Sequence, residues 1–257
     1  GKACIMGILN VTPDSFSDGG DFDTVEDALA QVERMIAQGA AIIDVGGEST
    51  RPGAEFVTEE EEIDRIVPVI QAIKAKYDVL ISIDTYKTAT ARAALEAGAD
   101  ILNDVWAGLY DGQMLALAAE KNVPIILMHN QKEEVYNDVT EDVCTFLSQR
   151  AQAALEAGVA KDNIWIDPGF GFAKNVQHNI DLLKGLDKVV ALGYPVLFGI
   201  SRKRVVDYLL GGNTQAKDRD QGTAALSGYA VSKGCQIVRV HNVDANRDIV
   251  KTISGIL

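Results

Sequence analysis

The stretch VLISIDTYKTATARAALEAGADILND (79–104) contains one complete strand, helix and strand, and it decides the fold. Its first residues are mostly apolar and rich in β-branched side chains, which is typical of a buried strand. Residues 88–97 are rich in Ala and carry apolar side chains three and four positions apart, as an amphipathic helix does. Gly98 stands where a left-handed residue ends a helix, and a second apolar run begins at residue 101. The segment therefore predicts two parallel strands joined by a helix.

The same unit recurs along the whole chain, where eight β-rich apolar runs alternate with eight segments of good helix formers. The predicted strands are 3–9, 41–45, 79–83, 101–102, 123–128, 164–166, 195–200 and 236–240. The predicted helices are 25–38, 59–76, 88–97, 113–120, 142–157, 179–188, 222–233 and 245–256. Four of them are expected to close on glycines in left-handed caps: Gly39, Gly98, Gly158 and Gly234.

Alternating strands and helices predict an α/β fold with a parallel sheet, either closed into a (β/α)8 TIM barrel or open and doubly wound. The 257 residues match the roughly 250 of one TIM barrel. The eight units fill nearly the whole length, and no GxGxxG follows the first strand, which favours closure. We therefore expect a single TIM-barrel domain over residues 1–257.

Charge and composition exclude several classes of partner. A formal net charge of −13 gives no general attraction for nucleic acid or anionic membrane, so a bound phosphate requires a local basic cluster. The three scattered cysteines lack CxxC spacing and predict neither disulfides nor a zinc site. The first apolar run is too short for a signal peptide or a membrane helix. We expect a soluble, cytoplasmic protein.

A polar residue stands at or just after the carboxyl end of every predicted strand. These residues are Asn10, Asp44, Asp84, Asn103, His129, Asp167, Ser201 and Arg239. Each alone has an ordinary reading as a turn or cap residue, but a barrel brings all eight strand ends to one face, where catalytic loops lie. Four cations accompany that face: Arg51, Arg202, Lys203 and Arg239. Together they predict a site for an anion such as phosphate.

The segment DPGFGF (167–172) places a carboxylate, a rigid turn and two aromatic rings after the sixth strand. A carboxylate accepts two parallel hydrogen bonds from the N–H and NH₂ edge of a pyrimidine, and an aromatic ring covers a flat ring. The segment therefore predicts a heterocycle site. The alternative is a Pro-Gly turn whose aromatic rings pack in the core, which we expect for one of Phe170 and Phe172.

Eight motifs, in order, closely resemble the dihydropteroate synthase family of pterin-binding TIM barrels. They are GILNVTPDSFSDGG (7–20), DVGGESTRPGA (44–54), ISIDT (81–85), LND (102–104), LMHN (127–130), DPGFGF (167–172), GISRK (199–203) and RVH (239–241). The resemblance implies a transferase that uses Mg²⁺ to condense 6-hydroxymethyl-7,8-dihydropterin diphosphate with 4-aminobenzoate, giving 7,8-dihydropteroate and diphosphate. It also implies a homodimer and a member of a class of sulfonamide targets.

By motif, the resemblance implies roles for individual residues. The pterin ring is expected at Asp84, Asn103, Asp167 and Lys203, with Met128 and Phe172 as apolar walls. The diphosphate is expected at Asn10, Thr50, Arg51, Arg239 and His241, with Asn10 also near Mg²⁺. The 4-aminobenzoate is expected at Thr50, Arg51, Pro52 and Lys203. Catalytic roles are expected for Asp84, Lys203, Arg239, His241 and Arg51. The glycine-bearing loops 11–20 and 46–54 are expected to cover the substrates.

The motifs offer carboxylates, amides and cations, but no Cys or Ser beside an evident base. We therefore expect a dissociative, SN1-like substitution without a covalent enzyme intermediate. Two other functions stay open. A methyltetrahydrofolate-binding barrel of the corrinoid methyltransferase type shares the pterin pocket but holds no diphosphate. A non-catalytic pterin-binding paralogue lacks the cations or the loops. The chain also departs from many relatives at Arg204, after SRK, and at Asn242, after RVH.

Overall fold

The computed structural model describes residues 2–12, 24–50 and 53–257. Its eight parallel strands are β1 (Cys4–Asn10), β2 (Ile42–Gly46), β3 (Leu80–Asp84), β4 (Ile101–Asp104), β5 (Ile125–Met128), β6 (Ile164–Asp167), β7 (Leu197–Phe198) and β8 (Ile237–Val240). They form one sheet in the order β6-β5-β4-β3-β2-β1-β8-β7. A parallel bridge between Ile166 and Val196 joins its two ends. The sheet is thus a nearly closed TIM barrel, as the sequence predicts.

Ten α-helices surround the strands within the described ranges. They are α1 (Thr24–Ala37), α2 (Glu59–Lys76), α3 (Thr88–Ala97), α4 (Met114–Lys121), α5 (Val139–Glu156), α6 (Val176–Lys184), α7 (Leu186–Val190), α8 (Arg204–Leu209), α9 (Asp220–Ser232) and α10 (Val243–Ser254). The predicted bounds of α2 and α3 are confirmed to the residue. All four predicted glycine caps have positive φ, between 97° and 123°.

The prediction of one helix over 179–188 is wrong, because the chain breaks into α6 and α7 at Gly185. The side chain of Thr140 on α5 packs so closely there that a Cβ on Gly185 would lie 2.6 Å from its Cγ2 atom. The contact leaves no room for a side chain at the break, and glycine is itself a poor helix former. The predicted strand 195–200 is also too long, since only Leu197 and Phe198 pair with β8.

The barrel interior is filled below the site. A cluster of buried side chains lies on the same face of the strands as the polar residues of the site, deeper in the barrel: Met6, Ile42, Ile101, Ile126, Leu197 and Ile237. A larger apolar cluster packs the outer faces of the strands against the helices. The interior is thus closed by side chains, and the strand ends are left as the concave face. We call the face formed by the last residues of the strands, with the loops that follow them, the barrel mouth.

Strand register arranges the mouth as a ring. Asn10 is paired with Gly46, Gly46 with Asp84, and Asp84 with Asn103 in neighbouring strands. On the opposite side, Met128 is paired with Asp167. Asn10, Asp84 and Asn103 therefore occupy one level of the register. Asn103 pairs with Ile126, so Met128 and Asp167 lie two residues further along.

Candidate active site

Arg239 binds two carboxylates across the mouth. Its Nε atom donates to Asp44 Oδ2 at 2.7 Å, and one terminal amino group donates to Asp84 Oδ2 at 3.3 Å. Asp44 is 1% exposed and also accepts from Ser82 Oγ at 2.5 Å and from Asn103 Nδ2 at 3.2 Å. Asp44 thereby fixes the orientation of both Arg239 and Asn103. The sequence placed Asp44 at a strand end but assigned it no role in the site.

Asp84 has one oxygen that is buried and unpaired. Its Oδ1 atom has no hydrogen-bond partner among the described residues, while Oδ2 accepts from Arg239. Burial, followed by the charge of Asp44, raises the pKa of Asp84 to about 8, against the opposing effect of Arg239. A buried acceptor without a donor is costly, so this atom suits a ligand that brings an N–H group.

Lys203 lies across the turn that follows β6. Its Nζ atom donates to the carbonyl oxygen of Phe170 and lies 4.6 Å from the centre of the Phe172 ring. Removal from water lowers the pKa of Lys203 to about 8, although Asp167 favours its charge. Burial likewise raises the pKa of Asp167, whose Oδ1 atom accepts from the Gly169 N–H at 2.8 Å. The two residues form the polar floor of a pocket beside an aromatic ring.

The two phenylalanines of DPGFGF differ as expected. Phe170 is fully buried and packs edge-on against Phe198, with ring centres 5.2 Å apart. Phe172 is only partly buried and covers Lys203. Met128 is 3% exposed at the end of β5, as an apolar wall requires.

His241 is paired with a serine. Ser201 Oγ accepts the His241 backbone N–H at 3.1 Å and lies 2.8 Å from His241 Nδ1. Which of the two atoms donates in the second contact depends on the tautomer of the ring. The expectation that no serine stands beside a base is wrong, because the barrel joins strand ends that are 40 residues apart.

The other cation of the SRK motif is paired with a carboxylate at the start of α9. Arg202 binds Asp220 through two hydrogen bonds of 2.8 and 3.1 Å, and its predicted part in anion binding stays a prediction. Asn242, one of the departures from relatives, also donates to Asp220 and caps α10 by accepting from the Ala245 N–H. Arg204, the other departure, is exposed. Both departures therefore lie in supporting positions.

A second buried charge cluster lies behind the loop that follows β2. Lys87 is 1% exposed and donates to Glu48 Oε2 at 2.7 Å and to Glu62 Oε1 at 3.0 Å. Glu48 also accepts from Tyr86 and from the Val57 backbone. The cluster ties this loop to the segment after β3. Sequence reasoning missed it because the three charges are far apart in the chain.

Other predicted residues lie at the edge of the mouth. Asn10 and Thr50 are exposed. Arg51 and Pro52 lie outside the described residues, as do residues 13–23, so the roles predicted for them stay predictions. No group of three His, Cys, Asp or Glu side chains in the described ranges is placed to hold a metal ion.

Taken together, these contacts define a site with two parts. We call Asp84, Asn103, Asp167 and Lys203 the floor, and Arg239 with His241 the cationic wall. Asp84, Asn103, Asp167 and Lys203 can hydrogen-bond a flat polar heterocycle, and Arg239 with His241 can receive an anion beside it. Among the described residues Arg239 keeps one terminal amino group without a hydrogen-bond partner, and 22% of its side chain is exposed. The site thus suits a heterocycle that carries an anionic group.

Known proteins share both the sequence and the fold. Residues 6–241 match the family model described as pterin binding enzyme. The chain is 76% identical to the dihydropteroate synthase of Streptococcus pyogenes serotype M6 over 257 residues, covering 100% of this chain and 97% of the relative.

Solved structures of related proteins have the same fold as this chain. The Xanthomonas albilineans dihydropteroate synthase with 4-aminobenzoic acid is 43% identical, has a TM-score of 0.95, and the match covers 99% of this chain and 93% of that one. The Thermus thermophilus enzyme in complex with 6HMPPP is 40% identical, has a TM-score of 0.87, and the match covers 100% of this chain and 95% of that one. The fold and site define a pterin-binding barrel enzyme. Within that class the chain belongs to the dihydropteroate synthase family, whose members are transferases.

Proposed function

We propose that the barrel mouth condenses 6-hydroxymethyl-7,8-dihydropterin diphosphate with 4-aminobenzoate, releasing 7,8-dihydropteroate and diphosphate. The observation that carries this proposal is the unpaired Asp84 Oδ1 atom, buried in the same mouth as Asp167 and Lys203. It supplies an acceptor for ring N–H groups next to cations that suit a diphosphate. The relatives described above include one solved with 4-aminobenzoic acid and one with 6HMPPP.

The pterin ring lies, in this proposal, on the floor formed by Asp84, Asn103, Asp167 and Lys203. Asp167 accepts from the N–H and NH₂ edge of the ring, and Lys203 donates to a ring acceptor. Met128 and Phe172 cover the apolar faces of the ring. Asn103 is already oriented by its bond to Asp44, so little freedom is lost on binding.

The diphosphate binds at the cationic wall. Arg239 and His241 donate to its oxygens, and Asn10, Thr50 and Arg51 complete this part of the site. An exposed amide oxygen at a strand end fits Mg²⁺, which takes few protein ligands when phosphate oxygens are available. Asn10 would hold the ion together with the diphosphate. The bound ion would neutralise charge on the leaving group.

The reaction is a substitution at the pterin methylene carbon. The C–O bond to diphosphate breaks, and Arg239 and His241 stabilise the negative charge that builds on the departing oxygen. A positive charge beside Asp84 lowers its pKa, and the ionised carboxylate offsets the charge on the methylene and ring. The 4-aminobenzoate nitrogen, held at Thr50, Arg51, Pro52 and Lys203, then forms the new C–N bond and loses a proton to solvent.

The Ser201–His241 pair does not require a covalent intermediate. Ser201 is 6% exposed, and its oxygen already accepts the His241 backbone N–H. The hydroxyl therefore acts as a support that holds the His241 ring at the end of β8. Mass spectrometry of the enzyme quenched during turnover should show unmodified protein only. A pterin adduct on any residue would refute the dissociative mechanism.

The alternatives from the sequence are less well supported. A methyltetrahydrofolate barrel needs no cationic wall, and a non-catalytic paralogue need not keep one. The direct test is diphosphate release on mixing the protein with Mg²⁺, pterin diphosphate and 4-aminobenzoate. We expect release that depends on both organic substrates. Release no faster than without protein, or methyltetrahydrofolate binding without pterin diphosphate binding, would contradict the proposal.

The resemblance to the family also suggests an oligomeric state, a cellular location and a class of inhibitor. We propose a homodimer of single-domain chains that acts in the cytoplasm, with sulfonamides competing for the 4-aminobenzoate position. Within the described residues no helix has the length and apolar character needed to cross a membrane. Sedimentation velocity tests the dimer, and a protein that sediments only as a monomer at micromolar concentration would contradict it.

A further inference from the structure

Lys174 is a buried lysine that the proposed reaction does not use. It lies between the DPGFGF turn and Asn175, the residue that caps α6, and it is 5% exposed. Its ammonium group donates to the carbonyl oxygens of Gly169 at 2.9 Å and Phe172 at 3.0 Å, and it lies 2.7 Å from His129 Nδ1. A lysine ammonium has three N–H donors, and these three acceptors use them all. Lys174 therefore has no hydrogen left for a substrate.

His129 is the neutral partner in this arrangement. Burial, with the charge of Lys174, lowers the pKa of His129 to about 3. Its Nε2 atom lies 3.1 Å from Gln131 Oε1, an acceptor, so the ring proton is on Nε2. Nδ1 is then free to accept from Lys174. Burial lowers the pKa of Lys174 itself to about 7, which is opposed by the attraction of Asp167.

The two carbonyl groups that bind Lys174 are the first and last of the turn 169–172. Gly169 and Gly171 have φ values of +75° and +82°, which other residues adopt only with strain. One backbone hydrogen bond closes the turn, from the Phe172 N–H to the Gly169 oxygen at 3.1 Å. Lys174 adds a bond at each end of the turn from inside the protein.

Lys203 rests on the outer side of the same turn. Its ammonium group donates to the Phe170 carbonyl and lies over the Phe172 ring. Its methylene groups pass close to Gly171, where an added Cβ would be 2.8 Å from Lys203 Cδ. The position of Lys203 in the mouth therefore depends on the shape of the turn along its whole length.

We propose that Lys174 is a positioning residue that holds the turn 169–172 in the shape that places Lys203 for the pterin ring. It acts only through the turn and touches no substrate. The inference deepens the proposed function, because the role of Lys203 toward the pterin rests on it.

The test compares Lys174→Met and Lys174→Arg with Lys184→Met, which removes an exposed lysine from α6. Methionine keeps the length of the side chain without its donors. Arginine keeps a charge, but its planar group cannot point three hydrogens at the acceptors of one ammonium. Two measurements follow on folded protein: the titration of Lys203, from the pH dependence of its acetylation by acetic anhydride, and the KM for each organic substrate.

Wild-type Lys203 should titrate near pH 8, where burial, Asp167, Arg239 and Asp84 together set its pKa. In both Lys174 variants the turn loosens and water reaches Lys203, so its pKa should rise toward the ordinary value. Lys174→Met also removes a charge that disfavours the Lys203 ammonium, so Lys174→Arg, which carries a charge, is the deciding variant. The KM for pterin diphosphate should increase roughly tenfold, and because Lys203 also holds 4-aminobenzoate, the KM for that substrate should increase as well. The Lys184 variant should match wild type in all respects.

An unchanged Lys203 titration in either folded Lys174 variant would overturn the inference, as would an unchanged KM for pterin diphosphate. Acetylation needs no turnover. If the wild-type protein released no diphosphate, the proposed function would fail, whereas the Lys203 titration would still decide whether Lys174 positions it.

Discussion

Single residues in the mouth owe their chemistry to burial. Lys203 and Asp167 carry opposite charges, and removal from water moves both toward the neutral form while each favours the charge of the other. A ligand with complementary hydrogen-bonding groups satisfies both residues at once. Loss of either partner leaves a buried polar group of the ligand or the protein unpaired, which is the costly case.

We expect Asp167→Asn and Lys203→Ala each to weaken the binding of pterin diphosphate at least roughly 100-fold. Isothermal titration calorimetry measures this directly. Glu120→Gln is the control, because Glu120 forms an exposed pair with Arg92 outside the mouth. Unchanged affinity in Asp167→Asn or Lys203→Ala would refute the assignment of that residue.

Asp84 makes the stability of the free protein depend on pH. Its pKa of about 8 lies above the value near 4 of an unfolded aspartate, so the native state holds the proton more tightly. This contribution is fully present below about pH 4 and is lost as the pH rises through about 8. The free energy of unfolding in urea should therefore fall more steeply with pH in wild type than in Asp84→Asn. Parallel curves between about pH 5 and 9 would contradict the raised pKa.

Elements differ in how far the sequence predicts them. Helices α2 and α3 were placed to the residue because their ends carry local signals: Thr58 accepts from the Glu61 N–H, and Gly98 caps α3. The break at Gly185 falls on a poor helix former, and Thr140 of another helix packs where a Cβ would lie. The site follows the same rule. The roles that motifs predict for single residues stay predictions, and Arg51 and Pro52 lie outside the described residues. The pair of Lys87 with Glu48 becomes visible only when distant segments meet.

The turn 169–172 permits a sharp test with a matched control. A Cβ on Gly169 would overlap the carbonyl oxygen of His129, which is backbone and cannot move aside cheaply. Gly112 has a similar φ of +76° but nothing within 4 Å of such an atom. In urea denaturation, Gly112→Ala should lower the free energy of unfolding by about 1 kcal/mol, and Gly169→Ala should lower it by about 3 kcal/mol or more. Equal losses of unfolding free energy in the two variants would contradict the close approach of the Gly169 and His129 backbones.

The loop after β2 is anchored by the buried ion pairs that Lys87 forms with Glu48 and Glu62. Lys87→Met leaves Glu48 and Glu62 buried without their cation, and we expect it to lower the free energy of unfolding by about 3–5 kcal/mol. The control is Lys74→Met on α2, whose pair with Asp100 is about one-third exposed and should cost no more than about 1 kcal/mol. Similar losses in the two variants would show that the buried cluster does not anchor the loop.

At the scale of the whole molecule, the barrel is what turns scattered polar residues into a site. Asn10 and His241 are distant in sequence, yet both belong to strand ends of one mouth, since β1 pairs with β8. The alternation that predicts the barrel is a property of the chain by itself. The identity of the heterocycle rests instead on the motifs and relatives, because many ligands suit a floor of carboxylates and a cationic wall.

The central claim is that one mouth binds the pterin ring on the floor and its diphosphate at the wall. A crystal structure with 6-hydroxymethyl-7,8-dihydropterin diphosphate tests it most directly. We predict ring N–H groups within hydrogen-bond distance of Asp84 Oδ1 and Asp167, Lys203 donating to the ring, and the diphosphate on Arg239 and His241. A ring bound outside the mouth, or a diphosphate that contacts neither Arg239 nor His241, would contradict the account.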